Sequence, residues 1–305
     1  MYLFISTKKN SIQFGKDKLL VGGWSEYKMN YDLIKIIPFE KQREGNYNID
    51  NLLLTHFTHI TNIWHLLHQL FICYKFLKLN NLNIKNMYPI FFDGFIERQG
   101  NLLECRYKDL IFDGMGFDYE IFKKIYENFN INNKINVNKL SVLNSISLNF
   151  QNEPMMNDFK KYIFKNLNLK HKSERNNLFI MRRGTREITN MDDIKKKLKN
   201  IEYVYLEDFP VKKQIEMYMN ANKVIGVHGA GLAWCVFMSE GSTLIEMYPG
   251  NSNTNDYIRW CNITKVNYKR VSINITTGNA RDFRNATVNL DNNQINILKK
   301  IIMEL

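Results

Sequence analysis

Between residues 178 and 246 the chain alternates short apolar runs with amphipathic stretches. Residues 178–181, 203–206, 224–227 and 244–246 read as buried strands, while 191–199, 211–221 and the stretch after Gly231 read as helices. That alternation predicts a parallel sheet wrapped by helices. In the first half, Phe57, Ile60, Ile63, Trp64, Leu67, Leu70, Phe71, Tyr74 and Leu77 recur at helical spacing and predict a long helix over 51–80. Residues 88–92 read as a short buried strand ending at Asp93, 105–112 as another strand, and 1–50 as short strands and loops. A helix over 152–166 and a polar linker over 168–177 follow, and a last helix over 292–305 is expected to pack back on the first half. The pattern predicts an α/β chain in two halves.

The densest chemistry lies between Val224 and Gly250. An apolar strand ends at His228, the small residues Gly229, Ala230 and Gly231 impose a sharp turn, and Leu232 opens the helix that follows. A second break at Glu240-Gly241-Ser242 leads into the next strand, which closes on Glu246. A helix N-terminus presents unpaired N–H groups and about half a positive charge, which suits phosphate. Small residues let the backbone approach a pyrophosphate, and Glu246 is placed to take ribose hydroxyls at the edge where open α/β sheets bind ligands. A tight turn whose glycines serve packing alone is the competing reading of Gly-Ala-Gly. His228 before it and Glu246 after it tip the balance toward a nucleotide.

The run His228-Gly229-Ala230-Gly231-Leu232, then Gly241-Ser242-Thr243-Leu244-Ile245-Glu246 and Tyr248-Pro249, resembles the donor-site signature of glycosyltransferase family 61. Residues 179–190 are similar to the family's strand followed by Arg, three residues, Arg, x, Ile, x, Asn, which picks out Arg182, Arg186 and Asn190. Upstream, Asn62 and His65 resemble its Asn-x-x-His helix. The resemblance runs over about residues 55–270. It implies two Rossmann-like domains facing a cleft, the GT-B architecture: an acceptor-side α/β domain over 1–165, a nucleotide-sugar-binding domain over 166–290, and a closing helix over 291–305. It also implies inverting transfer from a UDP-sugar, carrying GlcNAc or a pentose, to a hydroxyl of a glycan or glycoprotein. Donor contacts fall on Arg182, Arg186, Asn190, His228, Gly229, Ala230, Gly231, Leu232 and Glu246.

Individual residues bear on that expectation. No Asp-x-Asp triplet occurs, which fits transfer without a metal or other cofactor. Fixed cations must then stabilise the leaving diphosphate, and Arg182 and Arg186, four residues apart after a strand end, could fork onto its oxygens. An arginine-rich surface turn is the alternative, and Arg183 between them is expected to face solvent. Asn190 also suits a helix cap. For the base that activates the acceptor hydroxyl, His65 matches the family histidine and His68 lies on the same helix face. Where relatives carry Asp, four residues beyond His65, this chain has Gln69, which cannot act as a base. His68 or Asp93 are the candidate substitutes, and an ordinary polar helix face with His56 and His59 is the alternative. Gln69 motivates a second reading, a catalytically reduced transferase-like protein that keeps a nucleotide or glycan pocket.

Composition trims the field. With 305 residues, 45% of them hydrophobic, including 20 Phe and 16 Tyr, the chain can bury two ordinary cores. The net charge of +12 is scattered rather than striped, which argues against nucleic acid and leaves anionic small partners such as nucleotide sugars. The four cysteines have no zinc-ligand spacing and are expected to be reduced core residues. No apolar run reaches the roughly 18 residues of a membrane span, and the first ten residues are not a signal peptide. A cytoplasmic setting, viral or host-cell, is the expectation, with the secretory lumen the alternative if the chain is part of a longer one.

Overall fold

The computed structural model describes residues 2–6, 11–14, 17–20, 36–38, 47–56, 62–79, 81, 88–92, 105–120, 123, 135–143, 155–250, 255–279 and 282–304. The chain divides into two compact units, Met1–Asn149 and Phe150–Leu305, both mixed α/β.

The first unit contains β1 (Tyr2–Ser6), β2 (Ser11–Phe14), β3 (Asp17–Leu20), β4 (Ile36–Pro38), β5 (Tyr47–His56), α1 (Ile63–Leu79), β6 (Tyr88–Phe92) and β7 (Ile135–Leu143). Its seven-stranded sheet runs β3-β2-β1-β7-β5-β6, with β4 also on β7. Among the described residues, only β5 forms parallel pairs, with β6 and β7. Two expectations change here. The helix foreseen over 51–80 starts at Ile63, because Leu52-Leu53-Leu54 belongs to β5, and a short apolar run fits strand and helix equally. Asn62 sets the start: its side chain accepts from the Trp64 N–H at 3.1 Å, an N-cap. The strand foreseen over 105–112 is a helical turn instead, with a π-helical segment at Leu110–Gly114 in which Met115 N–H donates to the Leu110 carbonyl at 3.1 Å. Leu110, Ile111 and Phe112 are all buried, so consecutive apolar residues carried no periodicity to separate the two.

The second unit follows the predicted alternation closely: α2 (Met155–Asn166), β8 (Asn176–Met181), α3 (Met191–Lys197), β9 (Glu202–Tyr205), α4 (Val211–Met219), β10 (Ala221–Val227), a 3-10 helix over Ala230–Phe237, β11 (Thr243–Pro249), α5 (Asp256–Thr264), β12 (Asn267–Asn279), β13 (Asp282–Asn289) and α6 (Asn292–Met303). The six-stranded sheet runs β13-β12-β11-β10-β8-β9, parallel from β9 to β12, with β13 closing it as an antiparallel hairpin. Both faces are covered, so the strands are buried almost end to end. On one face Phe179, Met181, Ile225, Val227, Ile245, Met247, Val271 and Ile273 join Ile194 and Leu198 in a single core. The last helix, foreseen against the first half, buries Ile295 and Leu298 in this same core. A capping box at Asp291 and Gln294 starts it, and buried Lys223 donates to the Ile302 carbonyl at 2.6 Å at its end. Among the described residues, no helix is long and apolar enough to cross a membrane, and all four cysteines are buried free thiols.

Candidate functional site

The register of the parallel sheet builds the site. Ile180, Gly226, Glu246 and Arg270 are paired across β8, β10, β11 and β12 and therefore share a face, opposite the core described above. Two residues further along that face, Arg182 leaves β8, His228 leaves β10 and Tyr248 lies on β11. The ladder reaches one step past β10, since the His228 N–H donates to the Met247 carbonyl at 2.9 Å. Arg182 and His228 thus emerge side by side at the carboxyl edge of the sheet.

The turn after His228 is pinned from beneath. The Tyr257 hydroxyl donates to the Gly229 carbonyl at 2.6 Å and the Tyr218 hydroxyl to the Gly231 carbonyl at 2.9 Å, both from buried positions. A trans peptide points its N–H opposite its carbonyl, so fixing the Gly229 carbonyl on Tyr257 turns the Ala230 N–H away from the core. The helix foreseen after Gly231 is a 3-10 helix, and it opens at Ala230. Runs of this kind beyond 3–4 residues are uncommon. Here Leu232 through Phe237 are all buried, and the Trp234 indole N–H donates to Gln214 Oε1 at 2.9 Å. Packing on every side, rather than an amphipathic stripe, decides the form of this helix.

Two glycines have distinct tasks. A Cβ on Gly226 would lie 2.8 Å from Leu232 Cδ2 and 3.2 Å from Ile180 Cβ, so the bare backbone is what lets Leu232 fold back under the turn. A Cβ on Gly229 would collide with Arg182 Nη1 and lie 3.5 Å from Arg186 Cζ. The two arginines therefore converge on the turn, and both guanidiniums lie against Gly229. Arg182 is steadied by Nε donating to the Thr185 carbonyl at 3.0 Å, and burial draws its affinity for a proton down from the usual arginine level. Arg186 sits in left-handed backbone at φ 56°, held by its N–H donating to the Ala286 carbonyl at 2.6 Å. Thr189 N–H and the Ile188–Val288 bridge continue this lacing of the arginine loop to β13.

Other foreseen residues stand differently. Arg183 is exposed, yet it is fully occupied: it forks onto Asp208 at 2.7 and 2.8 Å and stacks 3.8 Å from the Tyr205 ring centroid. Asn190 precedes α3 without a side-chain cap bond; its amide clasps Leu290, donating to the carbonyl at 2.6 Å and accepting the N–H at 3.1 Å. Glu246, 1% exposed, has both oxygens engaged. Oε1 lies 2.5 Å from His228 Nδ1, Oε2 accepts from the Tyr268 hydroxyl, and Arg270 Nε is 3.7 Å from Oε2. A carboxylate so engaged orients His228. Tyr218, Tyr257, Tyr268 and Arg270 went unforeseen. Tyr268 and Arg270 had a signal, because Val271, Ile273 and Ile275 alternate with polar residues at strand period.

In the first unit His68 is buried, with Nδ1–H donating to the Trp64 carbonyl at 2.7 Å and its ring 4.2 Å from the Trp64 ring. Burial pushes its pKa down to about 3, against the smaller opposing effect of that bond, which leaves a very weak base. Gln69 is buried too, at 6% exposure, whereas His65 is half-buried with its ring edge-on to Trp64. Asp93 lies outside the described residues. No group of three or more His, Cys, Asp or Glu able to hold a metal occurs among the described residues.

A family model described as Glycosyltransferase 61 matches residues 54–245. An alpha-1,3-arabinosyltransferase of rice (Oryza sativa subsp. japonica) is 27% identical over 114 residues, covering 34% of this chain and 20% of the rice protein. The chain thus aligns with about a fifth of that relative's length.

Proposed function

The chain belongs to glycosyltransferase family 61, and from that premise we propose that it transfers a sugar, GlcNAc or a pentose, from a UDP-sugar to a hydroxyl of a glycan or protein, with inversion and without a metal. The observation that carries the reading is the convergence of Arg182 and Arg186 on Gly229 beside His228. Diphosphate is a leaving group only if its growing charge is stabilised as the glycosidic bond breaks, and fixed donors already in place do this without reorganising. Two guanidiniums and the first N–H groups of the 3-10 helix converge where such a charge would lie. The acceptor oxygen attacks the anomeric carbon, its proton passes to a base, and UDP departs with the bonding electrons. His65 is the candidate base among the described residues. The two-domain GT-B arrangement is part of the same proposal, with the first unit on the acceptor side.

A second reading, a transferase-like binding protein without turnover, is favoured by one pair of observations: Gln69 replaces the expected carboxylate, and His68 is buried with its pKa near 3. Thermal unfolding with UDP, GDP, CMP and a panel of UDP-sugars tests both readings. Stabilisation by UDP that vanishes in Arg186→Ala supports the donor site, and release of UDP with an acceptor present separates enzyme from binder. No stabilisation by any nucleotide removes the basis of the transferase reading and leaves only a glycan-binding module.

A further inference from the structure

The polar row behind the turn has a task that donor contacts do not explain. Glu246 accepts on both oxygens while only 1% exposed, and a carboxylate this deep stays put only where donors hold it. The sheet supplies them by register: Arg270 is the residue paired with Glu246, and Tyr268 lies two positions earlier on the same face of β12. Gly226 is the partner of Glu246 on the other side, so no side chain from β10 stands between the carboxylate and the His228 ring two residues on.

A carboxylate can only accept, so a ring nitrogen 2.5 Å from Oε1 must carry a proton. Glu246 thus sets the tautomer of His228, with the proton on Nδ1 and Nε2 as the nitrogen that addresses a ligand. An imidazole without such a neighbour mostly carries its proton on Nε2. Tyr268 decides whether Glu246 can hold this position. Burial and the adjacent carboxylate push the Tyr268 hydroxyl well above the usual tyrosine range, so it remains a donor to Oε2 throughout ordinary pH. Arg270 brings countercharge 3.7 Å from the same oxygen and stacks 4.2 Å from the Tyr248 ring centroid, itself 4.8 Å from the His228 ring.

We propose that Tyr268 is a positioning residue of the donor site, holding the Glu246 carboxylate against His228 so that the imidazole keeps its proton on Nδ1 and meets the donor through Nε2. This rests on the reading above for the identity of the ligand, but not for the state of the imidazole. Both residues beyond His228 lie past the stretch matched by the family model, which ends at residue 245.

The test uses the nucleotide-free chain with its six histidines labelled with 15N in the ring, the His228 signals being identified by their loss in His228→Gln. The wild type should show the Nδ1-protonated pattern. Tyr268→Phe removes one oxygen from a half-buried ring and should move His228 toward the Nε2-protonated form, as should Glu246→Gln. UDP affinity should fall about 10-fold in Tyr268→Phe. An unchanged His228 pattern in folded Tyr268→Phe overturns the proposal, whatever UDP does. Wild-type protein that ignores UDP, yet shows the tautomer switch, would sink the donor reading and leave the positioning role standing.

Discussion

Gly229→Ala separates binding from folding. Gly229 has φ 162°, ordinary extended backbone that alanine adopts freely, so no conformational penalty arises. What the added methyl meets is the far end of a flexible side chain, Arg182 Nη1, which must leave its place over the turn. Folding therefore loses little, within about 0.5 kcal/mol. Binding loses one charge-assisted contact to the diphosphate, worth about 1.5–3 kcal/mol, which is at least a tenfold weaker UDP complex. With UDP at about 100 times the wild-type Kd, the ligand stabilises the wild type by about 2.7 kcal/mol and the variant by about 1.4 kcal/mol or less. For a unit of this size that is a melting shift of roughly 5 to 11 °C reduced by half or more. Scanning fluorimetry with and without UDP reads both quantities in one experiment. A nucleotide-free midpoint lowered by several degrees in Gly229→Ala, or a response to UDP equal to that of the wild type, would refute this role of Arg182.

Gly226→Ala should show the opposite profile. Its methyl meets Ile180 Cβ at 3.2 Å, a rigid branch point, so overpacking should cost about 1–3 kcal/mol in denaturant unfolding. Asn190→Ala should lose about 1–3 kcal/mol through the unmade clasp on Leu290, with far less effect on UDP binding than Arg186→Ala; equal effects would return Asn190 to the donor site. The pKa of His68 is depressed in the fold from 6.5 to about 3, so its contribution to stability is complete above pH 6.5 and is lost as pH falls toward 3. His68→Gln should remove up to about 1.4 kcal/mol per pH unit from the acid slope in that window, and an identical slope in the two proteins would refute the buried neutral imidazole.

The second unit was legible because its signals were local and repeated. Each strand of the parallel sheet is a short apolar run, each helix an amphipathic one, and the breaks carry Gly, Asn or Pro. Arg182, Arg186 and Gly229 could be named in advance, yet their meeting could not, since it depends on the register that sets β8 beside β10. The partners of Glu246 were hidden for a related reason. A strand-end carboxylate next to a glycine turn suits ribose in sequence, whereas Tyr268 and Arg270, which hold it beside His228, come from β12 some twenty residues later, and a pairing of that kind leaves no local trace. Asn190 shows the same limit: its position before a helix predicted a cap, while the partner that claims its amide is Leu290.

These long-range partners point to one element. The hairpin of β12 and β13 supplies the support for both sides of the candidate site. From β12 come Tyr268 and Arg270, which fix Glu246 and through it His228. From β13 and the residue just past it come Ala286, Val288 and Leu290, which fix the backbone of Arg186, Ile188 and Thr189 and the side-chain amide of Asn190. The groups that face the turn belong to the matched stretch 54–245, whereas the groups that hold them largely come after it. A left-handed arginine and a buried carboxylate are both costly conformations to keep, and each persists only where surrounding structure over-determines it. β13 does this by backbone pairing, which demands no particular side chains, whereas β12 does it through the Tyr268 hydroxyl and the Arg270 guanidinium. The geometry of the arginines and of His228 therefore depends on support that lies largely beyond residue 245, where the match to the family model ends.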